Sequence, residues 1–289
     1  MEAVWCKMRS MWLGGLEPGF GRAQKGAAMD KDRGFTLIEL LVVVAIIAVL
    51  MAILMPSLQR VKKQAQAVSC MSNLRQWGLI WYFYTQDSEG KFNRGAYNNN
   101  AAANDWPVVL LPYYKDKGKL ALCPSATLPL SAGGRFEQRA WNWDQQGWGA
   151  IRDKDPEIKD RGSYGQDEWL CNRDGANFWR ETTNIKKPDN VPLFFDCAYL
   201  DAFPIHTSAP PTVKGQSDIS SEMNLLCIDR HSGYVNYVFA DFNTVRKVGL
   251  KELWTLKWHK NFDITGHWTT VGGVQPSDWP QWMRSYKDF

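Results

Sequence analysis

No two of the six cysteines stand in a C-x-x-C pair, so neither a zinc ribbon nor a thioredoxin-like site is expected. No nucleophile elbow and no H-E-x-x-H helix occurs, which removes the best-marked hydrolase and zinc-protease patterns. No D-x-D-x-D-G string is present to form a calcium loop. Basic residues are not massed: the longest Lys/Arg cluster is Arg60 to Lys63, and the net charge is only +4. Nucleic acid is therefore not an expected partner. Charge is missing most completely from Leu40 to Met55, 16 consecutive residues without any.

That stretch lies within RGFTLIELLVVVAIIAVLMAILMP, from Arg33 to Pro56. Extended to Phe35 and Leu58, it reaches 24 residues with Glu39 as its single charge. As a helix it spans about 36 Å, against about 30 Å for a hydrocarbon core. Buried helices of soluble proteins rarely stay apolar on every face for so long. A cleaved secretory signal has a shorter apolar region and ends at a small-x-small site, whereas this run ends at Pro56. A retained membrane anchor is expected, with Lys31 and Arg33 fitting a cytoplasmic amino end. Glu39 lies about 6 Å into the run by helical rise. It either snorkels to the interface or meets a positive charge inside the membrane. The nearest donor for the second case is a free amine at Phe35, which exists only if the chain is cut after Gly34.

The segment RGFTLIELLVVVAIIAVL resembles the amino-terminal signature of type IV prepilins and of the pseudopilins of type II secretion systems. The resemblance implies cleavage after Gly34 by a prepilin peptidase, N-methylation of Phe35, and pairing of Glu39 with the terminal amine of a neighbouring subunit. A partner's ammonium would then neutralise the acid in a low-dielectric setting. A leader of residues 1–34 is long for that family, and MDKDRG from Met29 would make a short charged one. Residues 1–28 are expected to be a start-site artefact or a dispensable extension.

Past Pro56, which removes a backbone donor and is expected to bend the helix, an amphipathic pattern continues through residues 59–88. Leu58, Val61, Ala65, Val68, Met71 and Leu74 recur at steps of three and four, the spacing of one helix face. A helix from Phe35 to about Asp87 would reach roughly 80 Å. SEGKFNRGAYNNNAAAND from Ser88 is loop-like and marks its end.

Residues 89–289 read as β-rich and aromatic, with a polar, proline-containing insertion from Thr207 to Glu222. The best hairpin is GYVNYVFADFNTVRKV: Tyr234 to Ala240 alternates as a strand and Thr244 to Val248 is its expected partner. Asp241, Phe242 and Asn243 would connect them, with Asn243 in the left-handed position. His231 and Asp241 are separated by nine residues, as in the H-x9-DG segment of a large pseudopilin-like group of planctomycetes and verrucomicrobia. Phe242 stands where that group has glycine. CMSNLRQWG at Cys70, LCPSA at Leu122, SYGQDEWL at Ser163, RHSGYVNYVFAD at Arg230 and GLKELWTLKWHKNF at Gly249 also resemble it. The resemblance implies an α+β fold, a long amino-terminal helix packed on an antiparallel sheet.

A domain outside the cytoplasmic membrane permits disulfides. The chain beyond Gly34 keeps Cys70, Cys123, Cys171, Cys197 and Cys227. Cys70 with Cys123 is the preferred pair, stapling helix to sheet; buried free thiols are the competing reading. His231 and Asp241 are read as structural, the histidine orienting the approach to the strand and the acid accepting hydrogen bonds from turn amides. No metal ligand, cofactor or catalytic residue is assigned, and Asp196, Asp201 and Asp218 fit no site. Of the fifteen tryptophans, those of WNWDQQGWG from Trp141 and Trp268, Trp279 and Trp282 pack a core or interface, or form platforms for sugar rings.

Three functions follow. The chain is expected to be a pilin-like structural subunit and not an enzyme, a single-pass protein of the inner membrane with its globular domain in the periplasm or outside the cell. It would polymerise with other pseudopilin subunits into a secretion pseudopilus or a pilus-like filament. The alternative is a membrane-anchored module that uses the prepilin export route and captures polysaccharide. An anchored hydrolase is the third reading and lacks a catalytic constellation.

Overall fold

The computed structural model describes residues 36–95, 104–114, 120–126, 128–129, 139–142, 161–215 and 221–289. Gly34, Phe35, the leader, Trp143, Trp148 and Asp218 lie outside the described residues. The chain divides into two compact units, Met1–Ile53 and Leu54–Phe289.

Helix α1 runs Leu37–Asp87 and contains Pro56. In the first unit it exposes every residue from Leu37 to Ile53, an apolar surface that water would not leave bare. It is long and apolar enough to cross a membrane. The helix stops at a left-handed pair, Glu89 at φ 56° and Gly90 at φ 80°. The Gly90 amide donates to Thr85 O at 2.7 Å, the 6→1 bond that closes a helix whose next residue turns left-handed.

Within the second unit α1 buries Ala67, Cys70, Leu74, Trp77, Gly78, Ile80, Trp81 and Thr85. This stripe is not the expected one: Leu58, Val61, Ala65 and Val68 are exposed and, of that series, only Leu74 is fully buried. Trp77 and Trp81, each able to bury up to about 250 Å², lie with Cys70 on the face that turns inward.

Short α2, Trp106–Val109, and α3, Glu222–Leu226, flank the strands. Leu128–Pro129 (β1), Arg139–Asn142 (β2) and Arg161–Gly162 (β3) form a small three-stranded sheet. The main sheet comprises Tyr164–Asp167 (β4), Pro192–Asp196 (β5), Asp201–Ala202 (β6), Tyr234–Phe239 (β7) and Val245–Gly249 (β8). Its order is β6-β4-β5-β7-β8. Three pairs are antiparallel, but β6 lies parallel to β4. The architecture is thus α+β with a pilin-like layout, and its sheet is mixed where an antiparallel one was expected.

Successive residues of a strand face opposite sides. Phe194 accordingly joins the α1 side with Trp77 and Trp81, while Phe195, Tyr237 and Phe239 face a second core built on Trp254, Trp258 and Trp279. Trp77 stands 5.3 Å from Trp106 and 5.0 Å from both Tyr114 and Phe194. Its indole N–H donates to Leu120 O at 2.9 Å, and that of Trp106 to Leu200 O at 2.7 Å. Buried indole N–H groups usually find such partners. Near the tail, Trp268 lies 5.4 Å from Trp279, which stands 5.5 Å from Trp254. These rings pack against each other inside the domain.

The β7–β8 connection differs from expectation at one residue: Phe242, at φ 63°, is left-handed, and Asn243 is not. Phe242 thus takes a backbone that glycine would adopt at no steric cost. Its ring packs 5.9 Å from Tyr82 on α1, which offsets the cost of a left-handed non-glycine residue.

Candidate functional site

In the first unit, Thr36 and Glu39 stand at the start of α1. Glu39 Oε2 accepts from the Thr36 amide and the Thr36 hydroxyl, both at 2.8 Å. In return, the Glu39 amide donates to Thr36 Oγ1 at 3.3 Å. This is a capping box, in which T-x-x-E satisfies orphan donors of the first turn reciprocally. The acid also sits at the positive end of the helix dipole. Both effects were legible in TLIE and were missed: Glu39 has an intrachain reason to be where it is, apart from any partner.

In the second unit, four segments far apart in sequence converge. Cys70 comes from the buried stripe of α1. Cys123 is set by its amide, which donates to Ser163 Oγ at 2.6 Å. Asp196 ends β5, whose five residues are all buried. Arg230 and His231 occupy the turn before β7, where Ser232 and Gly233 take φ 59° and 93°. The ligand-type atoms of Cys70, Cys123, Asp196 and His231 all lie within 4.8 Å of one another, and all four residues are buried.

The contacts are specific. His231 Nε2 stands 3.1 Å from Asp196 Oδ2 and 3.4 Å from Cys123 Sγ. Cys70 Sγ lies 3.2 Å from Asp196 Oδ2 and receives the Tyr164 hydroxyl at 3.4 Å. Arg230 Nη1 donates to Asp196 Oδ1 at 3.1 Å, and the Asn236 amide donates to Oδ2 at 3.1 Å. Asn236 Nδ2 also donates to Ala67 O at 3.2 Å, tying β7 to the helix.

A carboxylate this deep is tolerable only when paired. Burial alone would raise the Asp196 pKa, but the charge and hydrogen bond of His231, with Arg230 and the Asn236 amide, hold it well below the usual carboxylate range. Burial opposes a charge on His231 too, yet the Asp196 carboxylate and the bond to Cys123 raise it to about 9. At Cys123 burial is outweighed by the hydrogen bonds from Cys70 and His231, bringing the thiol down to about 6. Burial, first, and the neighbouring Cys123 and Asp196 push Cys70 well up. The arrangement suits holding a cation among soft and hard donors. It is not a relay: the same Nε2 faces both the sulfur and the carboxylate, whereas a triad uses the two ring nitrogens separately.

Cys70 and Cys123 are therefore together, as free thiols. His231 and Asp241 are apart: β7 lies between them, and a strand of six residues spans about 20 Å. Asp241 sits in the β7–β8 turn, where its Oδ1 accepts from the amides of Asn243 and Thr244 at 3.1 and 2.9 Å. The acid that His231 meets is Asp196. Sequence reasoning left it unassigned, although an acid closing the apolar run PLFFD must find a partner. A second acidic group, Asp105, Glu168 and Asp201, also lies within 4.8 Å. There Arg173 pairs with Glu168, and Asp105 caps α2 by accepting from the Trp106 amide at 2.7 Å.

The prokaryotic N-terminal methylation motif matches residues 29–55 of this chain. No curated protein and no solved structure matches it. The motif covers Gly34, Phe35 and Glu39 and continues through most of the apolar part of α1. It implies processing by a prepilin peptidase, and with the one helix fit for membrane anchoring among the described residues it supports a prepilin-type protein, a subunit of the pilin or pseudopilin kind.

Proposed function

We propose that the chain is a structural, non-catalytic subunit, cleaved after Gly34, N-methylated on Phe35 and polymerised through α1. The filament is a type II secretion pseudopilus or a type IV pilus-like fibre, with the sheet domain on the far side of the inner membrane. The observation that carries this reading is the methylation motif over residues 29–55, running into an apolar stretch, Phe35 to Leu58, whose only charge is Glu39. Two further features support it. Cleavage would free an ammonium on Phe35, the partner that a neighbouring subunit would offer Glu39 in a low-dielectric setting. Leu58, Val61, Val68, Leu79 and Phe83 form additional exposed apolar surface on the helix, available to neighbouring helices.

Mass spectrometry of the native amino terminus tests the processing step. The expected result is a chain beginning at methylated Phe35; a retained leader overturns the proposal. A processed chain that forms no filament, but binds sugar through the sheet domain, would establish the polysaccharide-capturing alternative instead.

A further inference from the structure

The geometry points to a metal site: we propose that Cys70, Cys123, Asp196 and His231 bind one zinc ion, which staples helix α1 to the sheet. Two thiolates, one imidazole and one carboxylate form a four-donor set suited to tetrahedral zinc, and mixed soft and borderline donors disfavour calcium or magnesium. Zinc bonds of about 2.0–2.3 Å imply donor–donor edges of about 3.3–3.8 Å in a tetrahedron. The contacts of 3.1 Å from nitrogen to oxygen, 3.4 Å from nitrogen to sulfur and 3.2 Å from sulfur to oxygen approach those edges without any rearrangement of the backbone.

Three further observations favour an ion over the bare cluster. An imidazole nitrogen has one in-plane direction, and His231 Nε2 divides it between Cys123 and Asp196. A central metal would satisfy both, and Cys70, at once. The donors are oriented by partners of their own: Arg230 and the Asn236 amide on Asp196, and the Tyr164 hydroxyl on Cys70. Such outer contacts fix ligands in metal centres. Charge also balances, since two thiolates and a carboxylate are matched by the dication and the Arg230 guanidinium. Zinc would thus leave no uncompensated charge in a buried place. Arg230 and His231 also line a cleft of about 350 Å³, which brings solvent to the edge of the cluster.

The site is absent from any local sequence pattern because each ligand comes from a different segment. Yet the four pieces CMSNLRQWG, LCPSA, SYGQDEWL and RHSGYVNYVFAD all end there, supplying Cys70, Cys123, Tyr164 and His231.

The test uses the full chain, purified in detergent under nitrogen without chelator. Elemental mass spectrometry is expected to find about one zinc per chain. Cys70 and Cys123 should resist alkylation until a chelator is added. Cobalt-exchanged wild-type protein should show thiolate-to-metal charge transfer and intense visible bands of a tetrahedral ion. The Cys70→Ser/Cys123→Ser variant should lose both metal and bands; if that variant does not fold, the cobalt spectrum of the wild type still decides. Purified wild-type chain without stoichiometric zinc overturns the proposal, whether its two thiols are free or joined as a Cys70–Cys123 disulfide.

Discussion

Helix α1 carries two surfaces of opposite kind. From Leu37 to Ile53 every side chain is exposed and nearly all are apolar; from Ala67 to Thr85 one stripe is buried against the sheet. The first surface is of the kind that lipid or other helices would cover. The second is satisfied from within, by Phe194, Trp106, Tyr114 and the cluster around Asp196. One helix thus presents exposed apolar surface over one length and a core element over another. The two should fail independently.

The most complete separation is expected from Glu39. Glu39→Val removes both the charge and the cap on Thr36, and Glu39→Gln retains a capping-box residue while removing the charge. Filaments, or subunit cross-links in cells, are expected to vanish in both variants, with thermal unfolding of the sheet domain unchanged. Assembly by Glu39→Gln at the wild-type level would show that capping, and not a neighbour's ammonium, is what the acid supplies. A loss of domain stability in either variant would break the independence of the two surfaces.

The reverse separation comes from Gly78, on the buried stripe. A Cβ there would stand 2.5 Å from the Phe242 carbonyl oxygen and 3.0 Å from Val238. Alanine in place of glycine gains about 1 kcal/mol of helix propensity. Overpacking against backbone costs about 1–3 kcal/mol. Phe242 is already left-handed and gives way poorly, so the clash should win. Gly78→Ala is expected to lose up to about 2 kcal/mol of domain stability in denaturant unfolding, with cleavage at Gly34 unaffected. Equal or greater stability would mean that the turn moves aside freely.

The same contrast explains what the sequence made legible. An uncharged run is a property of neighbours in sequence, so the apolar helix and its single acid stood out at once. The alternation in Tyr234 to Ala240 likewise betrayed β7. The Asp196 site did not stand out, because Asp196 and His231 are 35 residues apart and meet only through the pairing of β5 with β7. The H-x9-D spacing marks the two ends of β7, so it carries no information about the acid on the neighbouring strand. The buried stripe was missed for a related reason: the face that turns inward holds the large rings of Trp77 and Trp81, and the regularity of the smaller aliphatic residues did not mark it.

The smallest effect concerns a buried histidine remote from both surfaces. His259 is buried, with Trp169 at 4.8 Å and Phe262 at 5.3 Å. Its Nδ1 accepts from the Asn261 amide at 3.2 Å, a bond that protonation of that nitrogen would break. Burial, with His206 and Lys257 nearby, lowers its pKa to about 4. Because the folded value lies below the unfolded one of about 6.5, the unfolded chain binds the proton more readily between them. This group's contribution to stability is therefore full above pH 6.5 and is lost as the pH falls toward 4. His259→Phe should remove that dependence, giving a flatter melting temperature from pH 6.5 to pH 4 than the wild type. An identical slope in both proteins would assign the acid sensitivity elsewhere. Because His259 lies far along the chain from the apolar half of α1, filament assembly at neutral pH should not register the change. A coupled loss would join the two surfaces that the helix otherwise keeps apart.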